Sequence, residues 1–305
     1  MGRFDDRASQ PGRGLRDLLR WRQERRAARR AGPPPPDVPA PRAEADLELL
    51  RSPRASLTWV GHASFALRLG GKLVLFDPVW SERLGGLVRR LAPPGLPLDA
   101  LPPPDLVLVS HDHWDHLDLP TLRRFGKRPT YVVPLGNERF LRGLGARVIE
   151  LDWWQKVQEG GLELTLVPAR HWSSRMGWDR NDALWGGFLV RGPEGTAYHA
   201  GDTGFFEGFV AIGRQAGPID WAMLPIGAYA PRWFMEPQHM DPVDAGQAFE
   251  LLLAKRFVAM HWGTFKLTDE PTSEPPERLR AWWKEQRLAE ERLWIPAIGE
   301  SRPLD

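Results

Sequence analysis

The chain has 305 residues, 42% of them apolar, which suffices for one large domain or two small ones and excludes disorder throughout. Lys plus Arg number 41 and Asp plus Glu 39, and the resulting formal net charge of +2 excludes a uniformly basic nucleic-acid binder. The absence of cysteine excludes disulfides, thiolate-bound zinc and thiol nucleophiles.

The positive charge is unevenly placed. Residues 1–54 hold 13 basic and 8 acidic residues, a net of +5 that leaves residues 55–305 at −3. The stretch Leu15–Arg30 reads as a helix with Leu15, Leu18, Leu19 and Arg22 on one face. Pro33 to Pro36, then Pro39 and Pro41, end it and make a stiff connector. These signals divide the chain into a basic N-terminal extension with a proline-rich linker, 1–54, and a single domain, 55–305. Residues 13–30 set eight arginines against Asp17 and Glu24, with leucines and Trp21 among them. That pattern suits peripheral contact with anionic lipid, and the competing reading is an arm packed on the domain through Trp21. No apolar run approaches the roughly 18 residues of a membrane span, and the start lacks the apolar stretch of an export signal. The expected location is cytoplasmic, with peripheral contact at the inner face of the membrane.

Beyond residue 55, short apolar runs broken by Gly, Pro and Asp predict strands. They fall near Leu57–Val60, Lys72–Phe76, Leu106–Val109, Tyr131–Val133, Leu162–Val167, Gly187–Val190, Thr196–His199, Trp221–Leu224 and Phe257–Met260. Helices are expected at Leu119–Phe125, Asn137–Leu144, Pro242–Lys255 and Glu277–Leu288. The third has Asp241 to cap it, Pro242 at its first position and Asp244 at the favourable dipole end. Strands with interspersed helices imply sheets covered by helices on their outer faces.

Three of the eight histidines fall within six residues, His111-Asp112-His113-Trp114-Asp115-His116, immediately after an apolar strand. Neutral imidazole and carboxylate are good ligands for zinc-like ions, and the cluster makes poor sense as packing. His171, Asp202 and His261 each follow another expected strand. Groups placed just past several strand ends can assemble a shared site at the rim of a rigid sheet. A ligand count gives His111, His113 and His171 to one ion and Asp115, His116 and His261 to a second, with Asp202 able to bridge. Each ion then keeps room for a water, as catalytic sites do.

The run His111–His116 fits the H-x-H-x-D-H signature of the metallo-β-lactamase superfamily, and His171, Asp202 and His261 fit its remaining ligand positions in order. The resemblance implies an α/β fold of four layers, an αββα sandwich, with two Zn2+ ions, iron or manganese being the alternatives. Further stretches are similar to N-acyl-phosphatidylethanolamine-hydrolysing phospholipase D and its bacterial relatives. They include Trp59-Val60-Gly61-His62-Ala63, Asp152-Trp153-Trp154, Pro225-Ile226-Gly227-Ala228-Tyr229, Arg232-Trp233-Phe234-Met235 and His261-Trp262-Gly263-Thr264-Phe265. By that likeness the protein cleaves a phospholipid phosphodiester to phosphatidic acid and an N-acylethanolamine. Ala230 departs from the pattern, since the mammalian members carry an acidic residue there.

Phosphodiester hydrolysis needs a strong nucleophile and charge neutralisation, and two ions roughly 3.5–4 Å apart supply both. Asp115 is expected to orient the nucleophile as well as to bind metal. His239, just before a helix, matches a histidine of the related enzymes and is expected to contact the phosphate or protonate the leaving group. Tyr229, Trp233 and Phe234 are expected near substrate, although core packing is the commoner role of such aromatics. His62, Asp77 and His199 are expected to support the ligands. The rival readings are a lactonase or other ester hydrolase of the same fold, and a non-enzymatic lipid-surface adaptor. A nucleic-acid partner is not expected, because residues 55–305 are net acidic.

Overall fold

The structure is a computed structural model that describes residues 2–8 and 14–304. Arg13, one of the eight arginines counted above, lies outside them. The first half of the domain supplies β1 (Ser56–Gly61), β2 (Ser64–Leu69), β3 (Lys72–Phe76), a small hairpin of β4 (Arg83–Leu84) and β5 (Val88–Arg89), β6 (Leu106–Leu108), β7 (Thr130–Pro134) and β8 (Val148–Leu151). The second half supplies β9 (Lys156–Glu159), β10 (Leu162–Val167), β11 (Gly187–Gly192), β12 (Gly195–His199), β13 (Trp221–Pro225), β14 (Arg256–Met260), β15 (Leu293–Trp294) and β16 (Ser301–Pro303). One sheet has the order β16-β1-β2-β3-β6-β7-β8 and the other β15-β14-β13-β12-β11-β10-β9.

Each sheet joins an antiparallel half to a parallel half. β1, β2 and β3 alternate in direction, and β6, β7 and β8 then run parallel to β3. β10, β11 and β12 likewise alternate, before β13, β14 and β15 run parallel to β12. β1, β3 and β6 therefore end at one edge of their sheet, and β10, β12 and β14 at one edge of theirs. The segments that follow these six strands leave the sandwich along these two edges.

Period-two alternation builds the layers. Leu57, Trp59, Phe65, Val74, Phe76 and Leu108 point inward into a core shared with β10–β14, whereas Val60, Ala66, Leu73, Leu75 and Val107 point outward into a second core. Leu122 and Phe125 of one helix and Leu141 of the next cover that outer face. The eight helices among the described residues are α1 (Leu15–Ala31), α2 (Leu47–Arg51), α3 (Leu119–Phe125), α4 (Glu138–Leu141), α5 (Gly208–Ala216), α6 (Arg232–Met235), α7 (Pro242–Leu251) and α8 (Glu274–Glu285). α5, α7 and α8 lie over the second sheet and complete the αββα sandwich.

Several element boundaries differ from expectation. β2, β8, β9 and α5 were not among the expected elements. α7 stops at Leu251, short of Lys255, because Leu253 turns to a positive φ of 53° and leads into β14. α8 begins at Glu274, where Pro275 fits the first turn, and ends before Arg287 at φ 55°. The expected helix Asn137–Leu144 is α4 followed by a tight 3-10 turn over Arg142–Leu144.

The N-terminal segments make contacts along the domain. Phe4 is buried and its N–H donates to Asn181 O at 2.8 Å, while Arg7 pairs with Asp152 at 2.9 Å. The Trp21 ring of α1 lies 4.8 Å from that of Phe234 of α6, tilted by 36°, and Arg25 pairs with Asp269 at 2.8 Å. Past the prolines, Ala40 N–H donates to Gly263 O at 2.8 Å, two residues beyond His261.

Phe249 of α7 is fully buried, with Phe257 of β14 at 5.6 Å and Trp283 of α8 at 5.2 Å. Phe249→Ala should cost about 3–5 kcal/mol in denaturant unfolding. Leu253→Ala, at a side chain 74% exposed, should change stability by less than about 0.5 kcal/mol.

Candidate metal centre

The loop after β6 carries the histidine cluster, and it is fastened to the end of β3 through one carboxylate. Asp77, wholly buried at φ 40°, accepts the Ser110 N–H at 2.6 Å and the Ser110 hydroxyl at 2.7 Å. Its Oδ2 also lies 2.7 Å from His116 Nδ1. Ser110 Oγ in turn lies 2.9 Å from His111 Nδ1. Both rings therefore have one nitrogen committed behind them and turn Nε2 toward the rim. On the far sheet, His171 Nδ1 lies 3.0 Å from the carbonyl of Gln238 and presents its Nε2 the same way.

Two groups of four side chains converge, each with its ligand atoms within 4.8 Å of one another. The first is His111, His113, His171 and Asp202, and the second is His62, Asp115, His116 and His261. Asp202 lies between them. Its Oδ1 is 3.0 Å from His261 Nε2, and its Oδ2 is 3.3 Å from His116 Nε2 and 3.9 Å from His171 Nε2. A third group joins Asp202, His239 and His261. Every histidine and aspartate counted as a ligand from sequence is thus within this one centre.

The donor chemistry fits divalent cations. His113 Nδ1 faces His111 Nε2 at 2.9 Å and His171 Nε2 at 3.2 Å, an approach of lone pairs that protons alone satisfy poorly. His113 Nε2, His116 Nε2 and His239 Nδ1 are buried without a hydrogen-bond partner. Burial pushes His62 and His171 down to about 3 and His113 to about 4, so these imidazoles are neutral donors. Burial works against charge on Asp115 and Asp202 too, yet the histidines around them hold both carboxyls well below the usual range. The same carboxylates carry His261 up to about 9 against its burial. Positive charge is favoured between the two groups.

The remaining expected residues divide. His62 is closer than a supporting role implies: its Nε2 touches Asp115 Oδ2 at 2.8 Å and its ring lies 3.9 Å from that of His261. Thr264 Oγ1 accepts the His62 N–H at 2.8 Å, and His261 N–H donates to His62 O at 3.0 Å. His199 stacks 4.9 Å from Phe76, with Nε2 against the carbonyl of Ala63 at 2.8 Å, and its Nδ1 accepts the Gly201 N–H at 3.2 Å, one residue before Asp202. The hydroxyl of Tyr229 is committed to Glu274 at 2.7 Å, and Phe234 is covered by Trp21. His239 sits 5.2 Å from the His171 ring and 5.7 Å from that of His261.

Other contributors carry no distinctive sequence signal. Ser110, Thr264 and the backbone carbonyl of Gln238 act through position alone. Gly227 is required for close approach, since a Cβ there would lie 2.1 Å from His261 O. Arg175 donates to the carbonyls of Asp112 and Leu117 at 3.0 and 2.8 Å and so braces the metal loop from behind.

A profile of the beta-lactamase superfamily domain matches residues 72–262. N-acyl-phosphatidylethanolamine-hydrolyzing phospholipase D 1 of Caenorhabditis elegans is 37% identical over 242 residues, covering 73% of this chain and 68% of that protein. A metal-dependent hydrolase of Nitratidesulfovibrio vulgaris is 33% identical over 261 residues, covering 82% and 95%. The structure of Igni18, a metallo hydrolase from Ignicoccus hospitalis, superposes with a TM-score of 0.64 at 25% identity and covers 81% of this chain and 97% of that one. With its histidine loop and downstream ligands in the superfamily's order, the chain belongs to the metallo-β-lactamase superfamily and is a metal-dependent hydrolase.

Proposed function

We propose that the protein is a dinuclear zinc phosphodiesterase of phospholipase D type. Its substrates are N-acyl-phosphatidylethanolamine-type phospholipids, cleaved to an N-acylethanolamine and phosphatidic acid. The observation that carries the reading is Asp202, a buried carboxylate within 4 Å of imidazoles from both ligand groups. The substrate class rests on the nematode relative, whose name states that activity.

His111, His113 and His171 would hold one ion and Asp115, His116 and His261 the other, with Asp202 placed between the two groups. Bound ions of this kind supply Lewis acidity and a nucleophile at neutral pH. The chain's own residues do the rest. Asp77 fixes the His111–His116 loop, and His62, itself fixed by Thr264, holds the Asp115 carboxylate in one orientation. His239 faces the centre with an unpartnered Nδ1 3.9 Å from Asp202 Oδ2. Burial pushes it down to about 3. A phosphate anion beside it would favour the protonated imidazole, the form that can give a leaving alkoxide its proton.

Protein purified without chelator should contain about two ions per chain. His116→Ala should reduce that toward one, and a wild-type value of one would contradict the dinuclear reading.

Asp202→Asn should lower turnover by at least about a hundredfold while the melting temperature of the metal-free chain stays near that of wild type, because an amide is a poor bridge. Near-normal turnover with both ions retained would remove Asp202 from the bridging role.

His239→Ala should slow release of an ethanolamine-type alkoxide by roughly a hundredfold or more and release of p-nitrophenolate by less than about tenfold. Equal losses would assign His239 to binding. Hydrolysis of a lactone with no turnover of either phosphodiester would replace the reading with the lactonase one.

A further inference from the structure

α1 is the largest described feature that the proposed chemistry does not use. It carries Arg16, Arg20, Arg22, Arg25, Arg26, Arg29 and Arg30 against Asp17 and Glu24, and none of its residues is buried. Only Asp17, Trp21 and Arg25 are half-covered, at the i, i+4, i+8 spacing of one narrow stripe. That stripe faces the domain. Trp21 Nε1 donates to Asp269, Arg25 pairs with the same carboxylate, and Trp21 lies on Phe234. Glu24 accepts from Trp233 Nε1 at 2.8 Å, and the Arg20 guanidinium stacks 3.9 Å over the Trp233 ring.

A second stripe runs about 120° round the helix from the first, at 3.6 residues per turn. Leu15, Leu18 and Leu19, exposed by 71, 40 and 46%, occupy its first half. Arg22, Arg26, Arg29 and Arg30 continue it through the second half, all exposed. Three leucines facing water are costly unless something apolar covers them, and the cations beyond them select a partner with fixed negative charge. A bilayer containing anionic lipid offers both within one surface. A nucleic acid would satisfy the arginines and leave the leucines in water. No helix of the described residues is long and apolar enough to cross a membrane, so contact of this kind is interfacial.

The docking position matters. α1 lies on α6, and α6 leads directly into the segment that carries His239, whose N–H donates to Met235 O at 2.9 Å. We infer that α1 is a lipid-docking helix that stays seated on α6 and offers the Leu15–Arg30 stripe to an anionic bilayer, thereby bringing the His239 side of the metal centre to the membrane. The purpose of this contact rests on the phospholipid reading above. Its physics does not.

Binding without turnover separates the two. Full-length protein should sediment with vesicles of phosphatidylcholine containing about a third phosphatidylglycerol and should not sediment with pure phosphatidylcholine. Binding should be lost as salt rises toward about 0.5 M. Arg22→Glu/Arg26→Glu/Arg30→Glu should bind at least about tenfold more weakly, and Leu18→Ser/Leu19→Ser should also weaken it. Both variants should keep the wild-type melting temperature and metal content. Failure of the wild type to bind, or equal binding by the charge-reversed variant, would overturn the inference. So would loss of binding in Trp178→Ala alone, which would move the contact to the loop after His171. Equally tight binding to a duplex oligonucleotide, lost in the same arginine variant, would overturn the choice of lipid. A protein that binds vesicles by α1 but hydrolyses no phospholipid would leave this inference standing and remove the proposed substrate.

Discussion

Two buried carboxylates among buried imidazoles set the terms for the rest of the molecule. Asp115 and Asp202 remain ionised in a setting where an isolated charge costs several kcal/mol. They are tolerated because positive charge is drawn to the space between them, whether as a proton on His116 or His261 or as a divalent ion. Such a centre is stable only if ligands from both sheets arrive together. That requirement explains why the sandwich is organised as it is. β1, β3 and β6 end at one edge and β10, β12 and β14 at the facing one, so six loops meet without any long excursion from a rigid strand.

Support behind the ligands is as specific as the ligands themselves. Asp77 binds Ser110 and His116 at once, so the end of β3 determines both where the metal loop begins and how its last histidine turns. Thr264, from the loop that follows His261, holds His62, and His62 holds Asp115. The two sheets are thus joined across the rim by hydrogen bonds as well as by side chains that could hold an ion between them. Gly227 lets β13 continue past His261 where a Cβ would collide with its carbonyl. Any drift in one sheet against the other would open distances that now lie near 3 Å.

Much of this was legible in the sequence, for physical reasons. The buried strands β3, β6, β10 and β13 are apolar runs bounded by Gly, Pro or Asp, and each of them was expected. The edge strands β8 and β9 were not, because Val148–Leu151 and Lys156–Glu159 are half-exposed and mix charge with apolar residues. β2 was hidden by the short turn at His62-Ala63 that joins it to β1. α5 reads GFVAIGRQA, whose glycines and β-branched residues argue against a helix until packing decides otherwise. The convergence of His111, His113, Asp115, His116, His171, Asp202 and His261 was readable because histidines past strand ends have few other uses. The place of His62 beside Asp115 was not, since it depends on how the two sheets meet, and nor was the covering of Phe234 by Trp21, which depends on a segment more than 200 residues away in sequence.

Asp202 is proposed to stand between two metal ions. Anomalous diffraction from crystals of the protein, recorded on either side of the zinc absorption edge, tests it most directly. Two peaks roughly 3.5–4 Å apart are expected, one within His111, His113 and His171, the other within Asp115, His116 and His261, with an oxygen of Asp202 beside each. A single peak, or two peaks with the Asp202 carboxylate turned away from both, would contradict it.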